Sequence, residues 1–174
     1  MVLEKPLVKI NEEVEKKLLE KIYNRFEIDE KFNEEREYGG FLFGVPGETI
    51  KIIGFYPDKE INISKGGIEF SSKYQKEALD MRKHLTTKEP TVSIVGFYHT
   101  YSDDMDLDSI HKEIYKRIQE DEKYQRLFPE NPIIMAIHRD KNYEFFLLNK
   151  KPIKLSSGIE SKRTETFKIE RFEI

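Results

Sequence analysis

The stretch that decides the fold is TVSIVGFYHTYSDDMDLDSIHK, from Thr91 to Lys112. Its first nine residues, Thr91 to His99, are almost all apolar, β-branched or aromatic, which predicts a central strand. The acids that follow read as a loop, with Asp108 expected to cap the next helix and to favour its positive end. Ile110, Ile114 and Ile118 then recur every four residues, as on the buried face of a helix running to about Leu127. A strand that ends in His99 places an imidazole at the mouth of a sheet on a rigid support, where sites gather; the structural alternative is a hydrogen-bonded core histidine.

Outward from this centre the pattern alternates between helix and strand. Val14, Leu18, Ile22 and Phe26 mark an amphipathic helix over about 11–27, with Asn11 as its N-cap. Phe41-Leu42-Phe43, flanked by glycines, reads as a short buried strand. The turn Pro46-Gly47-Glu48 joins it to a second strand, Thr49 to Pro57. GIEFS reads as a third short strand, and Ser72 with Gln75 as the capping box of a helix that Glu89-Pro90 ends. Ile133 to Ile137 and Tyr143 to Leu148 form a hairpin around HRDKN; Pro129 and Pro132 precede it. The tail, about 150–174, alternates weakly at Phe167 and Ile169, as an edge strand or a loose end. One mixed sheet flanked by helices accommodates this order. The expectation is a single α+β, α/β-layered domain over 1–174.

Composition narrows the function classes. The chain has no cysteine, which excludes disulfides, Cys-ligated zinc and thiol catalysis and fits a reducing compartment. Charged residues make up 36% of its 174 residues, a Lys- and Glu-rich bias shared with heat-adapted proteins. The net charge of −3 has both signs interspersed, so no basic footprint points to nucleic acid. No apolar run reaches membrane-spanning length, and the first residues lack a signal-peptide layout, so a cytoplasmic location is expected.

The acids invite a calcium reading, because Asp104, Asp106 and Asp108 have EF-hand spacing. The sixth loop position, however, is Ser109 instead of Gly, and the twelfth is Tyr115 where a bidentate Glu is required.

Taken with EYGGFLFG about sixty residues earlier, VGFYHTY…DS resembles the JAB/MPN domain, the JAMM family of zinc isopeptidases. The likeness spans Glu37 to Leu148 (37–148). It implies a cytidine-deaminase-like mixed sheet flanked by helices. The family pattern is Glu-x-x-Gly-x-x-x-Gly, then His-x-His, seven residues and Ser-x-x-Asp. Two histidines and the aspartate hold zinc, the glutamate is general acid/base, and the serine steadies the oxyanion. By this resemblance Glu37 takes the catalytic glutamate's place, Gly40 and Gly44 match the glycines, His99 matches the first metal ligand, and Ser109 matches the serine. Tyr101 stands where the second histidine belongs, and Lys112 where the aspartate belongs. A phenol is a poor zinc ligand and an ammonium repels the ion.

Two rearrangements bear on this pocket. A loop longer by one residue puts Glu113 at the aspartate's place but loses Ser109, and His111, about 100° from its neighbours, cannot share a face with both Ser109 and Lys112. Asp103 or Asp104 with His99 makes a substitute metal set. The residue types also suggest that the Lys112 ammonium occupies the cation position and pairs with Glu37.

The resemblance therefore implies a degenerate site, no expected cofactor, and a protein-binding or scaffold role, with a ubiquitin-like protein or another protein as partner and the tail as a strand-addition surface. The expectation leans away from an enzyme. The alternative is an active metallopeptidase or isopeptidase on ubiquitin-like or peptide substrates, with zinc in a rearranged ligand set. A DNA role, by analogy with RadC-type relatives, rests on fold alone.

Overall fold

A computed structural model describes residues 7–58, 61–64, 67–86, 92–128, 132–148, 164–167 and 169–173. The expected helix end at Glu89-Pro90, Pro129 and most of the tail lie outside these residues. The order is β1 (Leu7–Asn11), α1 (Glu12–Lys31), β2 (Gly39–Val45), β3 (Thr49–Asp58), β4 (Asn62–Ser64), β5 (Gly67–Glu69), α2 (Ser72–Thr86), β6 (Ser93–Tyr101), α3 (Leu107–Glu120), α4 (Glu122–Leu127), β7 (Ile133–His138), β8 (Tyr143–Leu148), β9 (Thr164–Thr166) and β10 (Glu170–Phe172). Eight strands form one mixed sheet in the order β10-β1-β3-β2-β6-β7-β8-β9, while β4 and β5 pair separately. The fold is mixed α+β, as expected.

The central strands β2, β6 and β7 are apolar on both faces because helices cover both. On one face Leu42, Val95, Tyr98, Met135 and Ile137 pack with Leu18, Ile22 and Phe26 of α1. On the other, Phe41, Phe43, Phe97 and Ile134 pack with Tyr74 and Ala78 of α2 and with Ile110, Ile114 and Ile118 of α3. We call these the α1 face and the α3 face. A bulge at Val95, where Leu42 pairs with Gly96 but Phe43 with Ile94, lets Ile94 and Phe97 share the α3 face at an odd spacing. The glycines of β2 have a packing reason: a Cβ at Gly40 would lie 2.1 Å from the Tyr56 carbonyl oxygen, and one at Gly44 2.2 Å from that of Lys51.

Several boundaries moved. Leu7–Asn11 is a strand in which Val8 and Ile10 alternate inward, and the sequence reading missed it. Asn11 does cap α1, accepting from the Val14 N–H at 3.0 Å. Ser71, not Ser72, accepts from the first turn of α2 (Tyr74 N–H, 3.2 Å), and Gln75 donates to the Phe70 carbonyl. Asp106 caps α3, and Asp108 lies in its first turn with its N–H bonded to Asp106. The helix expected to reach Leu127 breaks at Asp121, whose N–H bonds Arg117 O and whose carboxylate accepts from Lys123 N–H, ending α3 and starting α4. The tail returns as two edges, β9 against β8 and β10 parallel to β1, the latter pinned by a two-pronged pair between Arg171 and Glu15. No helix among the described residues is long and apolar enough to cross a membrane.

Candidate functional site

Alternation along β6 separates its last residues. Tyr98 and Thr100 point to the α1 face, His99 and Tyr101 to the α3 face. His99 is fully buried. Its Nε2 lies 3.1 Å from Nε2 of His111 on α3, and its Nδ1 lies 3.1 Å from the Thr100 carbonyl oxygen. One arrangement of protons satisfies both contacts: His99 Nδ1–H donates to the carbonyl, and His111 Nε2–H donates to His99 Nε2. Burial pushes His99 down to about 4. Burial, then the neighbouring His99, push His111 down to about 3. Both rings are therefore neutral at pH 7, among Phe97, Tyr101 and Phe146.

His111 is the residue that sequence reasoning passed over. It shares no face with Ser109 and Lys112: both are exposed while His111 is buried. The available signal was that His111 precedes Ile114 by three residues and Ile118 by seven, on the helix's apolar stripe.

Of the other positions singled out in the sequence, Tyr101 packs beside His99 at 6.0 Å between centroids, while Ser109, Lys112, Asp103 and Glu37 make their contacts elsewhere. Ser109 lies in the first turn of α3 and donates its hydroxyl to the capping Asp106 at 2.7 Å. Lys112 faces solvent and does not pair with Glu37. Tyr101 packs edge-on against His138 at 4.9 Å between centroids, and burial, followed by the charges of Glu144, Asp140 and Asp103, raises its phenol. Asp103 bonds His138 at 2.7 Å rather than His99, and Asp140 covers the other nitrogen of that ring with its N–H at 3.0 Å.

Glu37 belongs to a different cluster, on the α1 face. Thr100 donates its hydroxyl to Glu37 Oε2 at 2.5 Å, and Arg139 Nε lies 3.7 Å from Oε1. Burial raises this carboxyl, against the opposing pull of Thr100 and Arg139. Arg139 comes from the β7–β8 turn. Its Nη2 donates to Asp29 at 3.2 Å and to the Arg36 carbonyl, and its guanidinium lies 5.1 Å over the Phe26 ring. Asp29, 2% exposed near the end of α1, also accepts from Tyr38 OH at 2.7 Å and from Arg36 N–H at 3.3 Å. Burial, then the bond to Asp29, hold the Tyr38 phenol up, to about 12. Asp29 and Arg139 carried no signal in the sequence, since 110 positions separate them.

A zinc site requires three protein ligands even when open for catalysis. Two imidazole nitrogens meet here, but among the described residues no third His, Cys, Asp or Glu joins them into a group able to hold a metal. These two donors alone fall short of a zinc ligand set. No family model and no curated protein matches this chain.

Proposed function

We propose that this chain is a JAB/MPN-like module with a degenerate JAMM-type site, acting as a protein-binding or scaffold element and not as a zinc isopeptidase. The observation that carries this reading is the division of the would-be site across β6. The glutamate at the catalytic position is bonded to Thr100 and faces Arg139 on the α1 face, whereas His99 is bonded to His111 on the α3 face. Metal-assisted hydrolysis needs the general base and the metal-bound water within hydrogen-bonding reach of each other. Tyr101 and Lys112, at two ligand positions, support the same reading. The partner is a protein, of ubiquitin-like or other type.

The test uses protein purified without chelators. Metal analysis is expected to give far less than one zinc per chain, and a ubiquitin-like fusion is expected to stay uncut with or without added zinc. One observation favours the active alternative, namely the second imidazole that His111 brings to His99. Stoichiometric zinc, with cleavage abolished by His111→Ala, would establish that alternative in place of the scaffold reading.

A further inference from the structure

The tail joins two ends of the sheet that the strand order puts farthest apart. β9 lies at one end, beside β8, and β10 at the other, beside β1. Laid flat, eight strands would separate those ends by about 34 Å. Thr166 and Glu170 are only four positions apart, a reach of at most about 14 Å. The sheet is therefore curled until its ends meet, and the tail is the stave that closes it. The closure is on the α1 face, because Phe167 and Ile169 pack with the core cluster that contains Leu18, Ile22 and Phe26. Alternation brings Phe167, Ile169 and Arg171 to that one face. Phe167 meets Phe145 of β8 at 6.2 Å between centroids. Arg171, paired with Ile10 of β1, grips Glu15 of α1 through Nε at 2.7 Å and Nη2 at 3.1 Å.

This stave is held lightly. It makes three register pairs with β8 and three with β1, and none of its described residues from Phe167 to Glu173 is buried. What it leans on is buried: Ile10, Glu15, Phe145 and Leu147. Without the tail, β8 and β1 would each present an unpaired edge, the template on which an extended chain adds. We propose that the gap between these edges is a groove for an extended peptide of a protein partner, with the spacing aromatic-x-aliphatic-x-Arg, and that the chain's own tail fills it as a displaceable occupant. Backbone pairing supplies the affinity, the Phe145 ring receives the aromatic residue, and the Glu15 carboxylate selects the arginine. The proposal deepens the protein-binding reading and rests on it for the partner. The metal and cleavage assays above do not touch the groove, so each reading can fail alone.

The probe is a fluorescent peptide of residues 164–173, TETFKIERFE, added to the full chain and followed by anisotropy. In the wild-type chain the tethered tail competes, so binding there is weak. Arg171→Ala loosens that tail and is expected to bind the peptide about tenfold more tightly, because the competitor has lost a charge-assisted bond. A peptide carrying the same Arg171→Ala change should bind this variant about tenfold more weakly than the unchanged peptide. If circular dichroism shows that Arg171→Ala does not fold, Phe167→Ala with the same two peptides supplies the comparison. Equal affinity in the wild-type and loosened chains overturns the proposal, and so does binding indifferent to the peptide's arginine. Sedimentation showing a dimer that Arg171→Ala dissolves would assign the groove to a second copy's tail and overturn the claim of a separate partner.

Discussion

The two faces of the sheet at the C-terminal end of β6 bury polar groups by opposite means. On the α1 face, Asp29 and Arg139 form an ion pair at 3.2 Å, with Tyr38 and the Arg36 backbone completing the bonding of the carboxylate. On the α3 face, two imidazoles one hydrogen bond apart stay neutral, and no carboxylate contributes to the shift of either ring. A buried ionisable group must be paired or must give up its charge. Adjacent residues of one strand, Thr100 and His99, lead into these two solutions, and the sheet keeps them apart.

The sharpest way to break this contrast is acid. Both histidines have folded-state values below the unfolded 6.5, so the unfolded chain binds more protons; stability is fully present above about pH 6.5 and is lost as pH falls towards about 4 for His99 and about 3 for His111. Within that window each ring contributes a slope of about 1.4 kcal/mol per pH unit, roughly 2.7 for the pair. Urea unfolding at pH 7, 6 and 5 reads this slope, which His111→Leu should halve; an unchanged slope would mean that the pair is not neutral together. On the other face the expected loss comes from removing one partner of a buried pair. Asp29→Ala leaves Arg139 facing a void and should cost about 3 kcal/mol in the urea midpoint at constant pH. Tyr38→Phe removes only the phenol's bond to Asp29 and should cost about 1.5 kcal/mol by the same measurement. Least of all, Lys112→Ala should change neither stability nor the histidine spectra, since that side chain lies in solvent outside both clusters; a displaced imidazole resonance would show that it reaches the site.

Much of the fold was written in local pattern. The alternation of helix and strand, the Asn11 cap, the central strand before His99 and the Tyr143–Leu148 hairpin partner each follow from periodicity within a short window. Boundaries failed where one-residue choices compete, as between Ser71 and Ser72 or Asp106 and Asp108, because several neighbouring side chains can accept the same helix N–H groups. The first strand was missed because five residues with two inward positions carry little periodic signal, and only β3 and β10 on either side make them a strand.

The site divides along the same line. The sequence by itself determined that a buried strand carries His99 near its end and that α3 carries an isoleucine stripe. Only the tertiary structure decided that His111 meets His99, that Ser109 and Lys112 face water, and that Glu37 turns to Thr100 and Arg139. Strand and helix propensities act over a few residues, whereas these contacts join positions far apart in the chain. They depend on how α1, α3 and the β7–β8 turn pack around one strand end, where a side chain's face is fixed by its neighbours in space.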